Sequence, residues 1–402
     1  MRLSVPVSVL ATLLLPVLQA RADVITDWNV TALSLTQSGP PQIEMRTLAL
    51  THVAMFDAVN AVTRTHQAYM SPAPTAPAGA SAEAAAAAAA HGVLMSIYPL
   101  QKPALDAALQ ASLAKLPDGD AKTGGSTLGR QVAEQCIAMR SGDGSNARVA
   151  YTPATTGPGS WQPAPPSMGP FVSVFWADVK PFFLKSSTEV TAPGPLAVDS
   201  AQYAKELDEV RRLGRRDSTE RTAEQTAAAI FTLNNGGQIW NAAARAAAAA
   251  KGTTMPENAR IFAVINMAAL DAVITGWEVK RKMGTWRPVT AIRAATSNPD
   301  PKWEPLINTP SHPDYVSGHS ITSGAWSRSL QLLFGNDGVP FTATGFGGAM
   351  TRQFTSFSQA STEIENARIW AGIHTRSADE HATALGRRVG EIAVQRAMKR
   401  ID

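Results

Sequence analysis

Apolar residues recur three and four positions apart along most of the chain, which is the spacing of an amphipathic helix. This spacing predicts helices over residues 43–63, 122–140, 202–213, 221–233 and 256–279. An alanine run at residues 84–90 favours one more helix, because alanine has the highest intrinsic helix propensity. The alternation of apolar and polar residues that marks a strand is scarce. The pattern therefore predicts an all-α fold.

Residues 141–183 interrupt the helical pattern with seven prolines and with the aromatic residues Trp161, Phe171, Phe175 and Trp176. Connections of this length without secondary structure are uncommon unless they are functional. We expect an ordered connection that packs its aromatic side chains on the surface of the body. A loop with a functional part is the alternative.

A weak internal repeat relates the two halves of the chain. Residues 46–59 recur as residues 260–273 at a constant offset of 214, with six identical positions. The identical pairs are Arg46 and Arg260, Ala49 and Ala263, Ala54 and Ala268, Asp57 and Asp271, Ala58 and Ala272, and Val59 and Val273. The repeat predicts two fused helical bundles with pseudo-two-fold symmetry, over residues 23–183 and 184–402. Chance similarity between alanine-rich helices is the alternative.

The first 22 residues have the pattern of a secretory signal peptide. Arg2 precedes an apolar run, and residues 20–22 (Ala-Arg-Ala) offer a small-x-small cleavage site. A membrane anchor is the alternative, but Pro6 and Pro16 interrupt the run, which is short for a span. We therefore expect an exported protein, either periplasmic or secreted.

Composition excludes several classes of protein and of site. The chain has 402 residues, 45% of them apolar, which is ample for a large core. Loss of Arg2 and Arg21 with the leader lowers the net charge from +4 to +2, which argues against nucleic acid or a membrane surface as a partner. The single cysteine, Cys136, excludes an internal disulfide and a cysteine-based metal site, and its context predicts a buried, inert thiol. A homo-oligomer stays open.

Three cationic residues in the second half could together bind a tetrahedral oxyanion. Such an anion loses water on binding, so fixed positive charge and N–H donors have to replace that water. Arg287 and Arg368 carry forked guanidinium groups and Lys280 adds a point charge. Lys280 and Arg287, seven residues apart, share a helical face if the helix continues past Gly284. Pro288 places Arg287 outside a helix, at the end of an element.

Two further clusters complete this predicted site. Ser317-Gly318-His319 precedes an apolar-periodic stretch, so we expect it at a helix N-terminus, where free backbone N–H groups favour an anion. His374 follows Arg368 by six residues and could converge with it only if the helix ends near Gly372. Asp379 and Glu380 are possible carboxylates to orient an imidazole. No comparable cluster of anion-binding residues lies near the other four histidines in the sequence. We expect them to be structural or at the surface: His52, His66, His91 and His381.

The chain carries three motifs: Lys280-x6-Arg287-Pro288, Ser317-Gly318-His319 and Arg368-x5-His374. In this order they resemble the signature of the superfamily that joins the vanadium-dependent haloperoxidases and the type 2 phosphatidic acid phosphatases. The haloperoxidases also resemble two helical bundles related by pseudo-symmetry. The chain departs from the pattern at Val316 and Ala367, where proline and serine are usual, and at Asp379, which sits one position late.

The resemblance implies a role for each matched residue. The oxyanion pocket would consist of Lys280, Arg287, Ser317, Gly318 and Arg368. His374 would be the ligand of vanadium in vanadate, or the nucleophile on phosphorus in a phosphatase, and His319 would be the acid–base residue. His312 lies where the haloperoxidases have a residue beside the cofactor that bears on halide handling, and the algal bromoperoxidases have a histidine there.

The resemblance leaves two activities open. The lack of transmembrane segments after the leader, the doubled bundle, and His312 with Trp286 favour a haloperoxidase. It would oxidise halide, bromide ahead of chloride, with hydrogen peroxide, in the presence of an organic acceptor. Vanadate would be the cofactor, and phosphate could occupy the same site. The alternative is an exported acid phosphatase with a phosphohistidine intermediate, and a non-catalytic relative is the third possibility.

Overall fold

Helix α9 (Met255–Met283) runs through the centre of the molecule. The carboxylate of Glu257 caps its first turn by accepting from the backbone N–H of Thr254 at 2.7 Å, and Gly284, with φ of 52°, ends it. Among the described residues, α9 alone is long and apolar enough to cross a membrane, but 94% of its most apolar window is buried in the protein. It is therefore the central core helix, on which both halves of the chain pack.

The computed structural model describes residues 23–36, 39–233, 236–296, 298–345 and 348–401. The expected signal peptide, residues 1–22, lies outside these ranges. The other helices are α1 Val24–Thr36, α2 Pro41–Thr63, α3 Ala82–Ile97, α4 Lys102–Leu113, α5 Asp120–Arg140, α6 Ala201–Leu213, α7 Ala223–Phe231, α8 Gly236–Lys251, α10 Pro288–Arg293, α11 Gly318–Phe334, α12 Phe357–Trp370 and α13 Arg376–Arg396. The predicted all-α fold is confirmed, with one small addition.

That addition is an antiparallel hairpin of β1 (Phe341–Gly345) and β2 (Met350–Phe354). The sequence analysis did not predict it, because each strand has only five residues. Phe341 and Phe354 pair across the hairpin with ring centroids 4.9 Å apart, and both are buried against the helical core. The hairpin thus caps the body rather than forming a layer of its own.

The two repeated segments lie on α2 and α9, which pack against each other. The aspartates of the repeat make the same kind of contact in each half. Asp57 accepts from the backbone N–H groups of Tyr69 and Met70 at 2.8 Å each. Asp271 accepts from three consecutive N–H groups, those of residues 182–184, at 2.6 to 3.0 Å. Each buried carboxylate therefore holds a connecting segment in place through backbone hydrogen bonds.

The long connection predicted over residues 141–183 is ordered, and it continues to Ser200, where α6 is capped. Its aromatic residues do more than cover the surface: Trp161, Phe171 and Trp176 are 6%, 5% and 1% exposed. They extend the core and hold the connection against the second half. The prediction that these aromatic side chains pack on the surface was therefore wrong. They are buried, because they fill space between elements that are distant in sequence.

Helices α11 and α13 approach each other closely through glycine. A Cβ atom on Gly386 of α13 would overlap the backbone oxygen of Ile321 in the first turns of α11, and one on Gly324 of α11 would overlap the backbone of Thr383. Only glycine allows this backbone separation. The contact fixes the first half of α11, which begins with predicted site residues, against the middle of α13.

Candidate active site

The three predicted cations converge on one point from three elements. Lys280 lies in the last turn of α9, Arg287 just before α10 and Arg368 in the last turn of α12. Their exposed fractions are 0%, 0% and 1%. Burial lowers the pKa of Arg287 and of Arg368 to about 10, and it lowers the pKa of Lys280 well below its usual value, helped by the charge of Arg287. Positive charge is thus concentrated where water cannot solvate it.

Helix α9 does not continue to Arg287, contrary to the condition set for Lys280 and Arg287 to share a face. It ends at Gly284, and Pro288 starts α10 with Arg287 as its N-cap in an extended conformation (φ −86°, ψ 154°), as predicted. Tertiary contacts bring the two residues together instead. Nζ of Lys280 donates to the carbonyl of Pro313 at 2.6 Å, and Nε of Arg287 donates to that of His312 at 2.6 Å.

Ser317 is the N-cap of α11, as the sequence predicts, and its hydroxyl accepts from the N–H of Ser320 at 3.4 Å. Gly318 and His319 occupy the first two helical positions, whose backbone N–H groups have no partner within the helix. These N–H groups and the helix dipole favour an anion at this end. A Cβ on Gly318 would lie 3.4 Å from the ring of Trp277, which is van der Waals contact, so Trp277 packs directly beside this helix start.

His374 reaches the cations because α12 ends at Trp370 and Gly372 adopts φ of 80°. This break is the one that the sequence analysis required. Nδ1 of His374 lies 2.6 Å from Oδ1 of Asp314, so Nδ1 carries the proton and Nε2 keeps its lone pair. Nε2 is 3.2 Å from Nη1 of Arg287. Burial and the charges of Arg287 and Lys280 lower the pKa of His374 well below its usual value, so the imidazole is neutral.

Asp314 is the residue that orients His374, and the sequence analysis missed it. It precedes His374 by 60 residues, and its other oxygen accepts from the hydroxyl of Thr375 at 2.9 Å. Burial raises the pKa of Asp314 to about 6, against the opposing effect of Arg287 and Lys280. The position of Asp314 between His312 and Ser317 was the only signal in the sequence. Nothing there indicated that its carboxylate would contact His374.

Asp379 and Glu380 do not contact His374, so the expectation that they orient an imidazole was wrong. Oδ1 of Asp379 accepts from the hydroxyl of Ser320 at 2.7 Å, beneath the start of α11. Asp379 is fully buried and burial raises its pKa well above the usual value. Glu380 lies on the exposed side of α13, 3.7 Å from Arg376. The helical period of α13 turns both carboxyl groups away from the imidazole.

His319 and His312 flank the cations at the cavity surface, and each ring is partly exposed. Burial and the charge of Arg368 lower the pKa of His319 well below its usual value, opposed by the nearby carbonyl of Thr232. Nδ1 of His312 lies 3.0 Å from Nη2 of Arg287, and burial, Lys280 and Arg287 lower the pKa of His312 as well. Both rings are therefore neutral near pH 7 and able to accept a proton.

The site opens into a cavity of about 920 Å3. Arg368, His374, His319 and His312 lie on one wall, and its other walls are mostly apolar. Trp277 lines this cavity, with its ring centroid 5.2 Å from that of His312. Trp286, which the sequence analysis placed beside the halide, points elsewhere: its Nε1 donates to the hydroxyl of Tyr203 at 2.6 Å, and it lines two other cavities. That prediction was wrong.

The four other histidines with assigned structural roles lie away from this cavity. His52 is fully buried beside Asn29, with its pKa lowered by burial to about 3. His91 pairs with Asp106, and His381 lies 2.9 Å from the hydroxyl of Tyr315. Cys136 is buried, as predicted, and burial raises the pKa of its thiol to about 12.

Comparison with known proteins shows which family this chain is similar to. Residues 260–402 match the family model of the VCPO second helical-bundle domain. The vanadium chloroperoxidase of Curvularia inaequalis is 32% identical to the chain over 88 residues, which is 19% of this chain and 14% of that protein. The matched part therefore spans about a seventh of the curated relative.

Solved structures extend the similarity to almost the whole chain. The bacterial vanadium-dependent iodoperoxidase superposes with a TM-score of 0.78 at 25% identity, over 94% of this chain and 96% of that one. The chain is related to the vanadium haloperoxidases. A bacterial vanadium-dependent chloroperoxidase in its holo form has a TM-score of 0.72 at 18% identity, over 94% and 93% of the two chains. Its apo form gives 0.75 at 17%, over 90% and 96%, and these two structures bear on the fold alone.

The residues of this pocket fit the vanadate of a haloperoxidase. Nε of Arg368 is buried and has no hydrogen-bond partner among the described residues, so a donor is left over for a bound group. The three cations and the N–H groups at the start of α11 suit an oxyanion, and the lone pair on Nε2 of His374 suits one bond to its central atom. Within the described ranges no cluster of three or more His, Cys, Asp or Glu forms a site for a bare metal ion.

The contact between Asp314 and His374 yields a first prediction. Asp314→Asn removes the acceptor that fixes the imidazole, and loss of such a partner weakens metal binding by about 10- to 100-fold. We expect orthovanadate, titrated into the purified protein by calorimetry, to bind weaker by that factor. Glu380→Gln is the matched control and should keep the wild-type affinity. Equal affinities of Asp314→Asn and wild type would show that His374 needs no orienting carboxylate.

Glu44, which lines the same cavity, yields a second prediction. Burial raises its pKa from 4.5 to about 7, so the folded protein holds this proton more tightly than the unfolded chain does. Its contribution to stability is therefore lost as the pH rises from 4.5 to 7, by at most about 3 kcal/mol. We compare the free energies of unfolding of Glu44→Gln and wild type in urea at two pH values. The advantage of Glu44→Gln over wild type should be larger at pH 8 than at pH 5 by about 2–3 kcal/mol. Met45→Leu should follow the pH dependence of the wild type, and a pH-independent difference for Glu44→Gln would contradict the assignment.

Proposed function

We propose that this protein is a vanadate-dependent haloperoxidase that oxidises halide with hydrogen peroxide. The observation that carries the proposal is the neutral His374, whose unprotonated Nε2 lies among buried cations at the base of a cavity. Similarity to the bacterial vanadium-dependent iodoperoxidase over most of the chain supports the same class of activity. The site residues below have the roles that this proposal assigns to them.

Each residue of the pocket acts through a group that the geometry makes available. Lys280, Arg287 and Arg368 would neutralise the charge of the oxyanion. The backbone N–H groups of Gly318 and His319 and the hydroxyl of Ser317 would donate to its oxygens, while the N–H of Ser317 donates to the carbonyl of Ala378. His374 would bind its central atom through Nε2, as the one protein ligand to the metal. Bound vanadate would supply a Lewis acid that activates the peroxide oxygen towards halide.

His319 would manage the proton of the peroxide. A base has to be unprotonated at working pH, and burial together with Arg368 keeps its ring neutral. His319 opens onto the cavity at the second position of α11, one residue from the N–H groups that would hold the anion. It would take one proton from hydrogen peroxide as the peroxide binds. Halide would then take one peroxide oxygen, with its remaining proton, and leave as hypohalous acid as the O–O bond breaks. His319 would return its proton to the other oxygen, which leaves as water after taking a second proton from solvent.

The halide would approach beside His312 and Trp277. These rings form a polarisable wall next to Arg287, which suits a large anion with weak hydration. We propose that iodide and bromide are oxidised ahead of chloride, since chloride is the hardest of the three to oxidise. The iodoperoxidase among the structural relatives supports this order, and bromide ahead of chloride is the order expected from the sequence.

A phosphatase is the second candidate, and one observation favours it. The neutral, unprotonated Nε2 of His374 is also what attack on phosphorus requires, with His319 as the proton donor to the leaving alcohol. This activity would need no vanadium and would pass through a phosphohistidine. The size of the doubled bundle favours the haloperoxidase.

The cellular setting is also a proposal. The apolar leader and small-x-small site at residues 20–22 support export to the periplasm or beyond the cell. Small molecules are the expected partners: hydrogen peroxide, halide and an organic acceptor. The low net charge argues against nucleic acid and against a membrane after the leader is removed.

Two assays on the mature protein separate the candidate activities. We expect iodide and bromide oxidation with hydrogen peroxide that depends on added orthovanadate, measured as triiodide and as bromination of an acceptor. His374→Ala should abolish it, while His381→Ala, a histidine outside the cavity, should retain it. Release of phosphate from an aryl phosphate without vanadium, and no vanadate-dependent halide oxidation, would establish the phosphatase instead. Turnover by His374→Ala would contradict both candidates.

A further inference from the structure

The cavity has a second polar feature, among the lining residues that the first half of the chain supplies. Gln42 and Glu44 lie in the first turn of α2, so this part of the wall comes from the first half of the chain. They are 4% and 8% exposed, and both line the cavity. Their neighbours on this wall are apolar or small, among them Pro40, Pro41 and Met45. A few polar groups in an otherwise apolar cavity are typical of sites that orient an organic ligand.

Glu44 differs from three other buried carboxylates of the protein. Asp57, Asp271 and Asp314 each accept at least two hydrogen bonds from the chain. Within the described ranges, no N–H or O–H donates to the carboxyl of Glu44. A buried carboxyl without donors destabilises the fold, and burial accordingly raises the pKa of Glu44 to about 7. The molecule keeps this group at a cost in stability.

The fold makes room for this carboxyl. It lies over Gly237 in the first turn of α8, where a Cβ atom would stand 2.9 Å from Cδ of Glu44 and closer still to its Oε1. Any other residue at position 237 would displace the carboxyl group. Gly236, the preceding residue, also lines the cavity. The missing side chain at Gly237 therefore leaves space for the carboxyl at the cavity wall.

We propose that Glu44 binds the organic acceptor of the reaction, an aromatic compound with a neutral O–H or N–H donor, inside this cavity. The inference rests on the proposed haloperoxidase function for the reason such a compound would enter. The apolar walls would hold the ring, and the carboxyl would accept its hydrogen bond. The acceptor would thereby be halogenated within the cavity at a position set by this contact.

The chemical class follows from the cavity itself. A volume of about 920 Å3 is at the upper end of the range of small-molecule sites, so a ring compound fits beside the anion. Trp277 and Met45 offer an aromatic and a thioether surface, both of which favour contact with a ring. Arg368 lies in the same cavity and disfavours a cationic ligand, so the donor on Glu44 is expected to be neutral. Electron-rich rings with O–H or N–H groups are also those that react with oxidised halogen.

Binding can be measured without vanadate, halide or peroxide, by calorimetry with 4-methylphenol and with toluene, which differ only in the hydroxyl. We expect the wild type to bind 4-methylphenol about tenfold tighter than toluene, since a hydrogen bond to a charged or partly charged acceptor is worth at least that factor. Glu44→Leu should weaken 4-methylphenol binding about tenfold and strengthen toluene binding. A misfolded variant cannot produce opposite changes for the two ligands.

Met45→Leu, on the same wall, is the matched control and should keep the preference for 4-methylphenol. Unchanged affinity for 4-methylphenol in Glu44→Leu would overturn the proposal, as would equal affinities of the wild type for the two ligands. Tighter, Glu44-dependent binding of the cation 4-methylbenzylamine would overturn the neutral class. Because no step uses vanadate, an inactive enzyme with the expected binding pattern would contradict the proposed function and leave this site standing.

Discussion

Three cationic side chains buried side by side are the constraint on which the rest of this structure depends. Lys280, Arg287 and Arg368 repel one another and have lost their water, and the carbonyls and carboxylates around them offset only part of that cost. A bound oxyanion would remove the repulsion. The site is thus built for an anion before one arrives, and such preorganised charge is the largest source of catalysis in many enzymes.

Holding these charges requires rigid elements from distant parts of the chain. Helix α9 delivers Lys280 at its end, the glycine contacts between α11 and α13 fix the start of α11, and Gly372 frees His374 from α12. The first half adds part of the cavity wall through α2, which packs on α9. The doubled bundle therefore encloses the site as a cavity, and the second half alone would leave it open.

Much of the site could be predicted where the signal is local. Pro288 after Arg287, the serine before α11 and the glycine before His374 each act on their own backbone, and the structure has them as expected. Contacts across the fold could not be predicted. Asp314 reaches His374 over 60 residues, and Trp286 turns to Tyr203 because of packing that no spacing reveals. The position of the Glu44 carboxyl could not be predicted either, because it depends on Gly237 at the start of α8.

The helical fold was also predictable from local signals. Helical periodicity is visible within each segment, and the repeat is visible when two segments are compared. The proposed bond between Nε2 of His374 and vanadium cannot be inferred from any one segment. A crystal structure of the protein soaked with orthovanadate tests it most directly. We expect vanadium bonded to Nε2 of His374, with its oxygens within hydrogen-bond distance of Lys280, Arg287 and Arg368. Vanadate bound elsewhere, or held by the cations with His374 turned away, would contradict it.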